Sequence, residues 1–255
     1  MLGIALKISQ IGFCSRTKPV KSNTNQENTS MQLDTASKAL SSAICCVNTL
    51  DVSYYHQIKS IEEDISCFDV NAFLINDASS KNLIIARQVK KCLLNIDGNN
   101  IKIPKMDIHL DNWDEYFDDN KCAAITDVIV DGDDIEIEQS YNTPAYKYLA
   151  NTDDLYRLRG LKDDTSFSLD FYHEFAHAYQ GYFDHDNYSK LLKESFGEDA
   201  RKEISKNISV YACSNKAEFV AEYFAYKMIG KNFQSDYLDF LYQECNGPEL
   251  NGLMH

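Results

Sequence analysis

The chain has 255 residues, of which 44% are hydrophobic, and it carries a formal net charge of −14. This length and apolar content are those of a folded chain with one well-packed core, and they exclude a largely disordered protein. The negative charge repels phosphate groups, so we expect no nucleic-acid partner and favour a protein or peptide substrate with basic segments. No apolar run reaches the roughly 18 residues of a membrane helix, so we expect no membrane span. We further expect a monomer.

The eight cysteines do not form a disulfide-like pattern. Cys45 and Cys46 are adjacent, and no two cysteines have the spacing Cys-x-x-Cys. The start of the chain lacks the charged, apolar and small-residue regions of a classical signal peptide. These features predict reduced, mostly buried thiols and a protein that acts in a reducing compartment.

Residues 1–35 are predicted to be a disordered N-terminal segment. The stretch 15–35 is rich in Ser, Thr, Asn, Gln and Lys and almost devoid of apolar residues, which predicts disorder. Two interpretations of this segment stand side by side. It is a frayed terminus, or it is an export signal of the kind that bacterial type III secretion substrates carry.

Residues 36–97 are predicted to form a helical N-terminal region, with short breaks near Asp51 and at Asn76–Asp77. Apolar residues recur there at roughly helical spacing, among them Leu83, Val89 and Leu93. The remaining residues, 98–255, are predicted to be the catalytic domain.

Within 98–255 the pattern first indicates strands and then helices. Ile101–Leu110 alternates in part, and two short apolar runs on either side of Asp131-Gly132 predict a β-hairpin. Helices are predicted over 166–182, 187–206 and 216–229, the last stopped by Gly230. The expected fold is therefore α+β, mainly helical, with a small sheet.

The segment DFYHEFAHAYQGYF, residues 170–183, holds His173, Glu174 and His177 in the pattern His-Glu-x-x-His. On a helix, residues i and i+4 lie on one face, so both imidazoles point to the same side at the separation of two Zn–N bonds. Glu174 is placed beside them to contact a water on the metal. The pattern predicts a metal site with Glu174 as general base.

A catalytic zinc needs a third protein ligand, and several positions are tested for it. One class of zinc proteases has a glycine three residues and a histidine six residues after the second histidine, but these positions hold Gln180 and Phe183. Farther on, Glu194 and Glu198 stand in a segment rich in Lys and Glu. They are interpreted as solvated surface charges.

The helix predicted over 216–229 is apolar nearly all round, yet it contains Glu218 and Glu222. A buried carboxylate is costly unless it is paired or metal-bound. Asn215 could cap this helix with Glu218 as its partner, which would explain Glu218 without a metal and leave Glu222 unexplained. We favour Glu218 as the third ligand, with Glu222 bonded to the outer N–H of a ligand histidine, and we keep Glu222 as the alternative ligand.

The residues quoted so far resemble the anthrax lethal factor type of zinc metalloprotease, a family that includes bacterial Pro-Pro endopeptidases. The resemblance rests on HEFAH at 173–177, on Tyr211, and on Asn215 followed by AEFVAE at 217–222. It covers roughly residues 168–228. Ala176 stands where the family usually has glycine, a change between two small residues.

The resemblance implies a zincin-like catalytic domain in which one helix carries the motif. It implies zinc as cofactor, His173, His177 and Glu218 as its ligands, Glu174 as the base, and Tyr211 as the hydroxyl that steadies the oxyanion.

The expected function is that of a zinc-dependent endopeptidase. We expect a bacterial effector or toxin, secreted without a classical signal peptide, that cleaves a signalling protein in the host cytosol. The resemblance implies host kinase pathways as its targets. The alternatives are a type III effector metalloprotease of another lineage and a catalytically silent, metal-stabilised binding module.

Overall fold

A computed structural model describes residues 6–9, 49–76, 79–111, 124–132, 134–142, 166–233 and 235–250. The described strands are β1 (Leu6–Ser9), β2 (Val70–Phe73), β3 (Met106–Asp111), β4 (Ala124–Asp131) and β5 (Asp134–Asn142). The described helices are α1 (Thr49–Ile65), α2 (Ser80–Gly98), α3 (Ser166–Phe183), α4 (His185–Leu191), α5 (Glu198–Asn207), α6 (Lys216–Met228) and α7 (Asp236–Glu244). Of the predicted disordered segment 1–35, only the four residues of β1 are described.

The region 36–97 contains two helices and a strand. Helix α1 runs through Asp51, so the predicted break there is wrong, whereas α2 begins after the predicted break, with Ser79 accepting a hydrogen bond from the Asn82 amide. Strand β2 was not predicted. It follows a short 3₁₀ helix, Ser66–Phe68, which is capped by Asp69 in the left-handed conformation, with a φ of 58°.

The five strands form one mixed sheet in the order β1-β4-β5-β3-β2. Strands β2, β3 and β5 run parallel to one another, while β4 is antiparallel to both β5 and β1. Strand β3 begins only at Met106, later than the predicted Ile101, because Pro104 lacks the amide hydrogen that strand pairing requires. Strand β2 lies in the predicted helical region and pairs with β3 of the predicted catalytic domain, so both regions share this sheet.

The predicted hairpin is present as β4 and β5. Asp131 pairs with Asp134 at its closed end, and Gly132 has a φ of +65°. Two-residue hairpin connections require a positive φ, which glycine adopts at little cost.

Helix α3 packs on the sheet against β4 and β5, and α6 packs against α3. Gly181 allows the close approach of α3 to β4, since a Cβ at this position would lie 2.5 Å from Cγ2 of Val128. Residues 217–228 of α6 are all buried, as its apolar composition predicts. The core thus sits between the sheet, α3 and α6.

The helix predicted over 187–206 is two helices, α4 and α5. Helix α4 ends at Leu191, and α5 begins only at Glu198, after Gly197, whose backbone angles are extended. Helix α7 was not predicted.

The fold class, α+β with many helices and a small sheet, is confirmed. Among the described helices, none combines the length and the apolar content of a membrane-spanning segment.

Candidate metal centre

Helices α3 and α6 bring the three predicted ligands together. His173 and His177 lie one turn apart on α3, and Glu218 lies in the first turn of α6. Phe175 of α3 stacks on Phe224 of α6 with ring centroids 5.7 Å apart, so the two helices are held by apolar contact beside the site. All three candidate ligands are buried or nearly so, and they form a group that could hold a metal ion.

The three ligand atoms have the spacing of a tetrahedral metal site. His173 Nε2 and His177 Nε2 are 3.1 Å apart, and Glu218 Oε2 lies 3.2 Å from the first and 3.5 Å from the second. Ligands that lie about 2.0–2.1 Å from a tetrahedral zinc are separated from each other by about 3.3 Å. The three atoms therefore lie at separations at which one tetrahedral metal ion could contact all of them.

The protonation of these residues matches a site built for a cation. Burial by itself raises the pKa of Glu218, but the charge of His177 and a hydrogen bond from His173 hold it well below its usual range. Burial likewise lowers the pKa of His173, but hydrogen bonds to Glu218 and Glu222 outweigh burial and set it well above the usual histidine value. Without metal, the proton held on His173 offsets part of the carboxylate charge, and a divalent cation would take its place.

Asn215 does cap α6, since its side chain accepts a hydrogen bond of 2.9 Å from the Glu218 amide. The cap explains where the helix starts. It does not account for the Glu218 carboxylate, which lies against the two histidines.

Glu222 lies behind His173. Its Oε1 is 3.2 Å from His173 Nδ1, and its Oε2 accepts a hydrogen bond of 2.9 Å from the Ser209 hydroxyl. With Nδ1 bonded to Glu222, the other ring nitrogen of His173 faces Glu218 and His177. This is the geometry of a residue that orients a ligand histidine.

Glu174 is buried and faces strand β4. The Thr126 hydroxyl donates a hydrogen bond of 2.7 Å to its Oε2. A charge-assisted hydrogen bond of this length fixes the carboxylate.

Tyr211 lies at the edge of the site. Its ring centroid is 5.9 Å from that of His173, and the residue is 40% exposed, so the ring also borders solvent. Partial burial of the side chain, together with the negative charges of Glu218 and Glu174, raises its pKa above the usual value. The phenol therefore stays protonated and can donate a hydrogen bond.

Ser209 connects the turn that contains Tyr211 to Glu222. Its hydroxyl accepts a hydrogen bond of 3.0 Å from the Ala212 amide and donates one to the Glu222 carboxylate.

Glu194 and Glu198, which were interpreted as surface charges and not as ligands, lie outside the metal centre. Glu194 pairs with Lys216 at 2.6 Å, and the side chain of Glu198 is 83% exposed beside Lys202. Neither contributes an atom to the histidine cluster described above.

Sequence reasoning missed three side chains at the site. They are Thr126, Tyr188 and Ser209, which contact Glu174, His177 and Glu222 respectively. Thr126 lies next to the predicted hairpin, where alternation places it on the same strand face as the buried Val128, but no sequence pattern points to the glutamate. Tyr188 and Ser209 carry no sequence signal.

The principal chemical feature of the described residues is thus the buried cluster of His173, His177 and Glu218. Glu174 lies beside it, on the helix of the two histidines. No family model, curated protein or solved structure matches this chain.

Proposed function

We propose that this protein is a zinc-dependent endopeptidase with a zincin-like catalytic domain of the lethal factor type. The observation that carries the proposal is the convergence of His173 Nε2, His177 Nε2 and Glu218 Oε2 at 3.1–3.5 Å, with Glu174 next to the first ligand on the same helix. The resemblance of the sequence around HEFAH and AEFVAE supports the same assignment.

Zinc is the proposed ion because of the donor set. Two imidazoles and one carboxylate at tetrahedral spacing are the ligands of catalytic zinc, and they leave one position open. Calcium and magnesium prefer sets made only of oxygen donors. Zinc bound here would supply Lewis acidity, which polarises a carbonyl and acidifies a water at neutral pH.

Side chains of the protein would supply the proton transfer and the stabilisation of the oxyanion. Glu174 would take the proton from the attacking water and deliver it to the leaving nitrogen of the peptide bond. Thr126 occupies one oxygen of that carboxylate, which leaves the other oxygen for proton transfer. The neutral hydroxyl of Tyr211 would donate a hydrogen bond to the substrate oxyanion.

The first test is metal content. Elemental analysis of the purified protein should give close to one zinc per chain, and His177→Ala should lose it. If both proteins contain equally little metal, there is no metal site.

The second test is an unbiased peptide-library cleavage profile with the zinc-loaded protein. The wild type should cleave internal peptide bonds, Glu174→Ala should keep zinc without cleaving, and Tyr211→Phe should bind substrate but turn over more slowly. A zinc-loaded wild type that cleaves no peptide would favour the metal-stabilised binding module over the protease.

The proposed setting is that of a secreted bacterial effector that cleaves a host signalling protein in a reducing cytosol, with kinase pathways as candidates. The cysteines of the described ranges support this setting, because Cys67, Cys92, Cys213 and Cys245 are all free thiols. The net charge of −14 favours basic target segments.

The setting is tested separately from the chemistry. Residues 1–35 fused to a reporter should be exported by a type III system, and expression in host cells should cleave a host protein. If neither occurs, the effector proposal fails and the metalloprotease proposal is unaffected.

A further inference from the structure

The outer nitrogen of His177 contacts a phenol. The Tyr188 hydroxyl lies 3.3 Å from His177 Nδ1, and the two ring centroids are 5.9 Å apart. Tyr188 is 3% exposed and His177 is 2% exposed, so bulk water does not replace this contact.

The contact depends on a bend in the chain. Tyr188 follows His177 by 11 positions, and on one straight helix the two residues would stand about 16 Å apart along the axis. Helix α3 ends at Phe183, and Asp184, with φ of −148° and ψ of 57°, turns the chain into α4. The bend returns Tyr188 to the side of α3 on which His177 lies.

The C-terminal segment holds this bend in place. Gln180, in the last turn of α3, donates a hydrogen bond of 3.0 Å to the carbonyl of Cys245. Next to it, the side-chain amide of Asn246 lies 3.5 Å from the carboxylate of Asp184. The position of Tyr188 is therefore set by the fold and not by a flexible loop.

The hydrogen on the imidazole decides what Tyr188 does. When Nε2 of a histidine binds a metal, the remaining hydrogen stands on Nδ1 and must be donated. A buried N–H without an acceptor is costly, and the ring would rotate to find one. The oxygen of the Tyr188 hydroxyl is an acceptor at the required position.

We propose that Tyr188 is a positioning residue for the metal ligand His177, acting as Glu222 acts for His173. This inference rests on the proposed metal site and goes beyond it, because it assigns different kinds of partner to the two histidines. His173 is held by a carboxylate and His177 by a phenol. The carboxylate adds charge to the hydrogen bond and the phenol does not.

Because His173 has a charged partner and His177 a neutral one, loss of each partner should weaken zinc binding to a different extent. Loss of an outer partner weakens metal binding about 10- to 100-fold. Tyr188→Phe removes only the oxygen of a neutral partner, so its zinc dissociation constant should rise about 10-fold, near the lower limit. Glu222→Ala removes a charged partner and should lie nearer the upper limit.

The experiment is a chelator competition that measures zinc dissociation constants for wild type, Tyr188→Phe and Tyr172→Phe. Tyr172 is the matched control, since it is a buried tyrosine on α3, the helix of His177, and its hydroxyl accepts a hydrogen bond from Asn95 instead of contacting a ligand histidine. The dissociation constant should rise for Tyr188→Phe and stay unchanged for Tyr172→Phe. Equal constants for wild type and Tyr188→Phe overturn the inference.

A spectroscopic readout keeps the test valid if Tyr188→Phe folds poorly. In zinc-loaded wild type with ¹⁵N-labelled histidine, the Nδ1–H signal of His177 should be protected from exchange with solvent. Rapid exchange of that proton in the wild type would show that no buried acceptor holds it, and the inference would fall.

Different results would refute the metal site and the positioning role of Tyr188. A wild type that binds no zinc removes the metal site itself. A wild type that binds zinc while Tyr188→Phe matches it removes only the role of Tyr188, and neither result depends on finding a substrate.

Discussion

Replacing Glu218 and Glu222 separately by alanine tests the geometry of the metal centre most directly. Both carboxylates are buried on α6 and both contact His173, yet they contact different nitrogens of its ring. Glu218 lies on the side of Nε2, which it shares with His177, and Glu222 lies on the side of Nδ1. The two variants should therefore differ in how strongly they weaken zinc binding.

The magnitudes follow from these contacts. Glu222→Ala removes a partner of a ligand, so zinc affinity should fall about 10- to 100-fold, or about 1.4–2.8 kcal/mol. Glu218→Ala removes one of three ligand atoms, and two imidazoles do not hold a catalytic zinc. Its loss of affinity should exceed the upper limit for Glu222→Ala.

The assay is zinc retention during titration with a chelator, with the released metal measured optically. Glu194→Ala is the matched control, because Glu194 follows the histidines in sequence but pairs with Lys216 at 2.6 Å. It should retain zinc as the wild type does. If Glu222→Ala loses zinc before Glu218→Ala, the roles of the two carboxylates must be exchanged, and loss of zinc from Glu194→Ala would refute the assignment of the cluster.

Further outcomes are expected from single changes around the site. Glu174→Ala should retain zinc and abolish cleavage in a peptide assay, since it removes the base and no ligand, and substantial residual activity would refute that role. Thr126→Val should lower kcat about 10- to 100-fold with zinc content unchanged, because Glu174 loses a charged hydrogen bond of 2.7 Å, and Thr126→Ser should restore the rate. Gly181→Ala should lower the melting temperature, because overpacking against Val128 costs about 1–3 kcal/mol, which outweighs the ~1 kcal/mol gained in helix propensity. For the metal-free protein, the raised pKa of His173 contributes stability that is fully present below the unfolded value of about 6.5 and is lost as the pH rises through the folded pKa. Thermal melts from neutral to alkaline pH should therefore show falling stability without zinc, while zinc affinity rises over the same range as the competing proton leaves.

Local patterns in the sequence were sufficient for part of this protein. The spacing of His173 and His177 requires only a helix, because helical geometry alone places i and i+4 on one face. The β4–β5 hairpin follows from two apolar runs and from Gly132, whose positive φ is observed. The burial of α6 follows from its composition.

Other elements depend on partners far away in sequence. Strand β2 was predicted as helix, since four residues between two helices carry too little pattern, and its parallel pairing with β3 stabilises the strand. The break between α4 and α5, by contrast, is local, and helical periodicity alone does not register it.

The tertiary structure alone decided how the site is arranged around its histidines. Sequence patterns favoured Glu218 as the ligand but kept Glu222 as the alternative, because both lie on one face of α6 at helical spacing. The packing of α6 on α3 sets their depth and rotation relative to His173, and this places one carboxylate at each ring nitrogen. Thr126 reaches the site from strand β4, and Tyr188 reaches it from helix α4, which follows the bend at Asp184. Such contacts depend on how helices and strands pack against one another. No periodicity in the sequence encodes the distances between side chains on different elements.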